Sequence, residues 1–138
     1  MTFGSSWEFK VYDFLTENNI QFEYQPGISI PYEYDGIEWT YHPDFRLYTG
    51  AIIEVKGDHY FRINDITGRE EMYCPYGKNK LSKDKYEWLC GKFEAKHQCM
   101  IKHNIVIIRQ KQLKYLNDIV NNIINNIIIQ GDINYEMD

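Results

Sequence analysis

Apolar positions along the chain fall into two periods, and the switch between them marks the elements. Trp7, Val11, Phe14 and Leu15 recur at i, i+4, i+7 and i+8, which predicts a helix from Ser5 to Asn18 with one stripe turned toward a sheet. Ser5-Ser6-Trp7-Glu8 at its start reads as a capping box, the Ser5 hydroxyl accepting from an early backbone N–H and Glu8 able to reach back. Phe22, Tyr24 and the Ile28/Ile30 pair then alternate with period two, interrupted by Pro26-Gly27, so 20–30 is predicted as a bent or bulged strand. Asp35-Gly36 is a hairpin turn signal. After it, Ile37 to Leu47 and Ala51 to Lys56 are predicted as central strands, folded back antiparallel through Tyr48-Thr49-Gly50.

The segment 58–79 is polar and turn-rich, with Thr67-Gly68-Arg69 and Cys74-Pro75-Tyr76-Gly77 as breakers, and reads as an inserted loop that is either functional or partly disordered. Ser82 caps a second helix, in which Tyr86, Leu89, Cys90, Phe93, His97 and Met100 recur at helical spacing to about Lys102. Ile105-Val106-Ile107-Ile108 predicts a strand buried on both faces. From 111 to 130 a wide apolar face (Leu113, Leu116, Val120, Ile123, Ile124, Ile127, Ile128) predicts a C-terminal helix stopped by Gly131. The order αβββαβα defines one α+β domain over 1–138: an αβββαβ core with a mixed sheet flanked by helices, and an extra C-terminal helix.

At 138 residues the chain suits one domain with a real core. No apolar run approaches a membrane span and no signal-like segment precedes the first helix, so a soluble cytoplasmic protein is expected. Three cysteines without framework spacing point to reduced thiols. The net charge of −5 is unevenly placed. Residues 78–114 hold 10 Lys/Arg against 3 Asp/Glu, whereas 1–77 hold 5 against 13. The basic run, with Lys78, Lys80, Lys83, Lys85, Lys92 and Lys96, fits either phosphate-backbone binding or a solvated helix face.

The sharpest chemical signal is Tyr41-His42-Pro43-Asp44-Phe45 followed ten residues after Asp44 by Glu54-Val55-Lys56-Gly57. Alternation along a strand puts Glu54 and Lys56 on one face and Ile53 and Val55 on the other, while the turn brings Asp44 beside Glu54. Glu8, at the edge of the first helix's stripe, can lean toward them or serve only as a cap. Two carboxylates at about 4 Å repel by roughly 4 kcal/mol at an effective dielectric of 20, a cost that a bound cation relieves.

The order Glu8, Pro43-Asp44, Glu54-x-Lys56 resembles the PD-(D/E)XK nuclease superfamily. More closely, Phe3-Gly4-Ser5-Ser6-Trp7-Glu8, Phe22-Glu23-Tyr24, Thr40-Tyr41-His42-Pro43-Asp44-Phe45 and Ile53-Glu54-Val55-Lys56-Gly57 look like the phage endonuclease I family of Holliday-junction resolvases, over about the first 57 residues. The resemblance implies a restriction-endonuclease-like core and a Mg²⁺-dependent DNA endonuclease acting on branched DNA, with Mn²⁺ able to substitute. It implies Asp44 as shared metal ligand, Glu54 and the Val55 carbonyl as further ligands, and Glu8 as second-metal ligand or orienter. Lys56 then assists the attacking water. His42 could share that task from the strand edge, and His59 lies either near the phosphate or on a loop surface. Such resolvases are intertwined homodimers; Ile30 to Tyr34 lies where an exchanged segment would run, although Asp35-Gly36 equally permits a closed hairpin.

Two other readings stay open: a site-specific endonuclease of homing or restriction type in which 58–79 reads bases, and a non-catalytic nucleic-acid-binding module on a nuclease fold. Zinc at Cys90, His97, Cys99 and His103 is disfavoured, because 97 and 99 do not share a helix face and no C-x-x-C is present. Exposed rings such as Trp39, Tyr60 and Phe61 could stack on unpaired bases or simply belong to the core.

Overall fold

A computed structural model describes residues 5–125. Helix α1 (Ser6–Glu17) opens at Ser5, whose hydroxyl accepts from the Glu8 N–H at 3.2 Å, a cap of about 1 kcal/mol. Strands β1 (Phe22–Tyr24), β4 (Phe45–Leu47), β5 (Ile52–Lys56) and β8 (Val106–Arg109) form a four-stranded sheet in the order β1-β4-β5-β8. The first three run antiparallel in turn, with Phe45 opposite Ile53, whereas β8 lies parallel to β5 with Val55 opposite Ile108. Helix α2 (Lys83–Lys102), capped by Ser82, supplies the crossover between the two parallel strands. The protein is thus mixed α and β around a mixed sheet.

Two cores sandwich that sheet. Val11 and Leu15 of α1 pack with Phe45, Ile53, Val55, Val106 and Ile108 and with Leu116, Ile119, Val120 and Ile123 of helix α3 (Leu116–Ile124). On the opposite face Cys99 and Met100 of α2 meet Ile105, Ile107, Tyr41 and Ile30. All four residues of β8 are buried, Val106 to Ile108 as an apolar run requires of a strand with both faces covered and Arg109 despite its charge.

Four boundaries differ from the sequence reading. The expected strand over 20–30 is two: Gln25 (φ 51°) and Gly27 (φ 75°) turn the chain out of β1, and β2 (Ile30–Tyr34) begins elsewhere. The expected strand over 37–47 also divides, into β3 (Ile37–Tyr41) and β4, because Pro43 has no N–H to donate to a ladder. β2 and β3 pair only with each other, through an Asp35-Gly36 turn with both residues at positive φ, so 30–34 closes on its own chain rather than extending away from it. The 58–79 segment is not a plain loop: a 3₁₀ turn (Asp58–Tyr60) leads into a second hairpin, β6 (Phe61–Ile63) and β7 (Glu70–Met72). Arg109 fixes that hairpin to β8, its guanidinium 3.7 Å over the Phe61 ring and hydrogen-bonded to Glu70. The C-terminal helix expected from 111 starts only at Leu116, after a 3₁₀ stretch (Gln110–Tyr115). Its predicted portion beyond 125 lies outside the described residues. No helix among the described residues is long and apolar enough to cross a membrane.

Candidate active site: an acidic cleft at the end of strand β5

Alternation along β5 does what the pattern requires. Ile53 and Val55 enter the α1/α3 core, and Glu54 and Lys56 turn to the α2 side. Asp44 sits in the link just before β4, and its Oδ2 accepts from the Val55 N–H at 2.9 Å, so a backbone donor of β5 fixes the carboxyl of its neighbour. Glu8 arrives from the first turn of α1, buried, with Tyr24 donating to its Oε2 at 3.4 Å. Its backbone N–H is capped by Ser5 while its carboxylate faces Tyr24 and Asp44, so Glu8 belongs to the cap through its main chain and to the cleft through its side chain.

These groups line one cleft of about 300 Å³, bounded by Glu8, Asp44, Glu54, Val55, Lys56 and, opposite them, aromatic rings. Glu54 is only 3% exposed. Its Oε1 accepts from the Tyr41 hydroxyl at 2.8 Å and its Oε2 lies 3.4 Å from the Lys56 ammonium. Burial and the Glu54 carboxylate in turn push the Tyr41 phenol far above its ordinary range. Asp44 carries the electrostatic strain of the cluster: burial first, then the Glu54 charge and the hydrogen bond with Glu8, push its carboxyl up to about 9, against the lowering pull of the Val55 N–H. At neutral pH it therefore keeps a proton unless another positive charge replaces it.

Helix α2 adds a lysine from the far side. Lys96 lies with its ammonium 5.4 Å from the Tyr41 ring centroid; burial lowers its pKa, the nearby Lys56 charge adds to that, and Glu54 and Asp44 oppose it. The reading of the lysine run as one surface therefore divides. Lys92 stacks 3.4 Å over Trp39 and Lys96 leans inward, whereas Lys78, Lys80, Lys83 and Lys85 are exposed at the start of α2 and before it. None of these four lines the acidic cleft; Lys78 and Lys83 border a separate depression with Arg62, Glu71 and Glu94. His42 is also away from the cleft: it is exposed, with Nδ1 3.3 Å from the Ile28 carbonyl oxygen. His59 is brought to the cleft, its Nε2 2.9 Å from the Tyr76 hydroxyl.

Tyr24, Tyr41, Lys96, Trp7 and Tyr76 are the site residues that sequence reasoning missed. Trp7, Tyr24 and Tyr41 each lie inside one of the motif blocks, whereas Lys96 and Tyr76 carried no such signal. Cys90 and His97 are buried: Cys90 Sγ accepts from the Cys74 N–H at 3.4 Å, and His97 Nδ1 lies 3.0 Å from Glu94.

The donor set in the cleft is all oxygen, three carboxylates and the Val55 carbonyl, which suits a hard divalent cation such as Mg²⁺ or Mn²⁺ rather than zinc. Among the described residues no three His, Cys, Asp or Glu side chains stand close enough to hold an ion as they lie. No protein-family model, curated protein or solved structure matches the chain.

Proposed function

We propose that the protein is a Mg²⁺-dependent DNA endonuclease of the PD-(D/E)XK type, acting on branched DNA. One observation carries the reading. Carboxylates from three separate elements, α1, the link into β4, and β5, converge on one small cleft at the cost of lifting Asp44 to about 9, with an ammonium on the same strand face two residues from Glu54. Buried acids that are structural have cationic or N–H partners that lower their pKa. Here the largest influences run the other way, and a bound divalent cation would relieve them. The element order α1-β1-β4-β5-α2-β8 supports the same reading, since it has the αβββαβ arrangement that the motif resemblance implies.

Glu8, Asp44, Glu54 and the Val55 carbonyl would hold the metal. When bound, it supplies the charge that makes water nucleophilic at neutral pH and offsets the charge gathering on the phosphate. The chain's own groups do the rest. Tyr41 and Tyr24 fix the Glu54 and Glu8 carboxylates, and the Val55 N–H fixes Asp44, so the oxygens are oriented before substrate arrives. Lys56, paired to Glu54, stands where its ammonium orients the attacking water or a phosphate oxygen. Two cuts on one junction would require a homodimer, and within the single chain Ile30–Tyr34 pairs with Ile37–Tyr41.

The test is cleavage of a four-way junction, the matching linear duplex, single-stranded DNA and RNA with Mg²⁺, beside a Glu54→Gln control. Junction cutting that the control lacks is the expected result. Equal cutting of junction and duplex removes the branch preference, and cutting at a single sequence in the duplex identifies a homing or restriction type. No metal-dependent cutting of any substrate removes the nuclease reading.

A further inference from the structure

We infer that the aromatic side of the acidic cleft is a nucleobase-stacking subsite, so that the strand being cut presents an unstacked base next to the scissile phosphate. This rests on the nuclease reading and adds the substrate feature that reading leaves open. Trp7, His59, Tyr60 and Tyr76 line the same cleft of about 300 Å³ as the three acids. His59 is their hub: its ring centroid is 4.4 Å from that of Tyr60, 5.8 Å from Trp7 and 5.9 Å from Tyr76, and its Nε2 meets the Tyr76 hydroxyl. Tyr60 is backed by Phe93 of α2 in a stacked arrangement at 5.9 Å. Tyr76, in contrast, is 60% exposed and offers ring surface to a ligand.

The wall is built against the strand end rather than left there. A Cβ on Gly57 would stand 2.6 Å from the His59 ring and 2.7 Å from the Trp7 ring, closer than packing allows, so only glycine lets the rings close onto the residue after Lys56. Ring faces are electronegative and gain nothing from a phosphate; they gain from a base or a cation. In an intact duplex the bases stack on one another and present sugar and phosphate to a groove that reads the backbone. A base reaches these rings only by leaving its stack. The volume fits that limit, being at the small end of ligand sites of about 300–1,000 Å³ and suited to one nucleotide rather than a run. The Lys56 ammonium, 5.0 Å over the Tyr60 ring and 3.4 Å from Glu54, stands at the seam between the acidic and aromatic walls.

The test uses branched substrates carrying an abasic residue on either side of the scissile phosphate, cut by wild type, Tyr76→Ala and Tyr76→Phe. Removing the base on one side should slow wild-type cutting by about tenfold, in line with the value of one base–aromatic stack. Tyr76→Ala should slow the intact substrate by a similar factor and the abasic one no further, and Tyr76→Phe should stay within about threefold of wild type. A 2-aminopurine at that position should be quenched on binding to Glu54→Gln protein. Equal cutting with and without either base, or abasic and Tyr76→Ala effects that multiply, overturns the subsite while leaving the nuclease reading in place. If nothing is cut at all, the fluorescence decides: quenching lost with Tyr76→Ala keeps the subsite, and no quenching removes it.

Discussion

Two half-buried acids, Glu94 and Asp44, respond oppositely to the same fold. Glu94, on α2, accepts from the Met72 N–H at 3.0 Å and from Gln98 and lies against His97; those partners outweigh burial, and its carboxyl sits below the usual range. Asp44, with one N–H and two acidic neighbours, is pushed up to about 9. Equal chemistry in unequal company separates a carboxylate that holds the structure together from one whose ionisation the structure resists. The depression beside Glu94 also contains Arg62, Glu71 and Asn64, which are tied together by hydrogen bonds. Asp44 in the acidic cleft is not balanced in that way.

The contrast breaks most sharply in activity. Glu54→Gln should lower metal-dependent cutting by a factor on the order of 10²–10³ or more, whereas Glu94→Gln should leave the rate per folded molecule unchanged; single-turnover assays normalised to folded protein separate the two. Stability should reverse the order. In the unfolded chain Asp44 releases its proton near 3.8, and in the folded protein near 9, so the contribution it makes is present in full below 3.8 and lost as pH rises through that window. Asp44→Asn should therefore stabilise the metal-free protein by up to a few kcal/mol at pH 8 and by little at pH 4. Glu94 has the opposite sign: its contribution is present above the unfolded value of 4.5 and lost as pH falls through its lowered folded pKa. Glu94→Gln should cost about 1–3 kcal/mol at pH 7 and progressively less in acid. Thermal melts of both variants from pH 3.5 to 8.5 without metal check the pair, and a destabilised Asp44→Asn protein at pH 8 would make that acid structural.

Smaller effects sharpen the same comparison. Lys56→Ala should cut about 10²-fold more slowly while binding junction DNA with near wild-type affinity, as gel-shift titration in Ca²⁺ would show. Tyr41→Phe removes one hydrogen bond to a buried carboxylate. It should cost about 1–2 kcal/mol in stability and no more than roughly tenfold in rate, measured by denaturant titration and steady-state cutting.

The acids were legible because strand alternation is rigid: once 52–56 is a strand, Glu54 and Lys56 must share a face. The Asp35-Gly36 hairpin was legible because its turn demands two residues that tolerate positive φ. The β6–β7 hairpin was not, since its strands are three residues each and its turn over 64–69 depends on the Asn64 side chain accepting from the N–H groups of Ile66 and Thr67. Lys96 was hidden for another reason. On a helix bearing five lysines from 83 to 102, nothing local distinguishes the one that tertiary packing turns inward. Tyr24 and Tyr41 reach their acids across strands, which no spacing rule encodes.

Both hairpins share one topological property: neither exchanges a ladder hydrogen bond with the four-stranded sheet. They are held by α2 and by Arg109, and the first touches the acids only at its base, where Tyr41 donates to Glu54. Their tips can lengthen, shorten or change sequence without altering the β4–β5 register that sets Asp44 beside Glu54. Under the proposed function, such a chain would be free to drift in what it grips while the acids stay put.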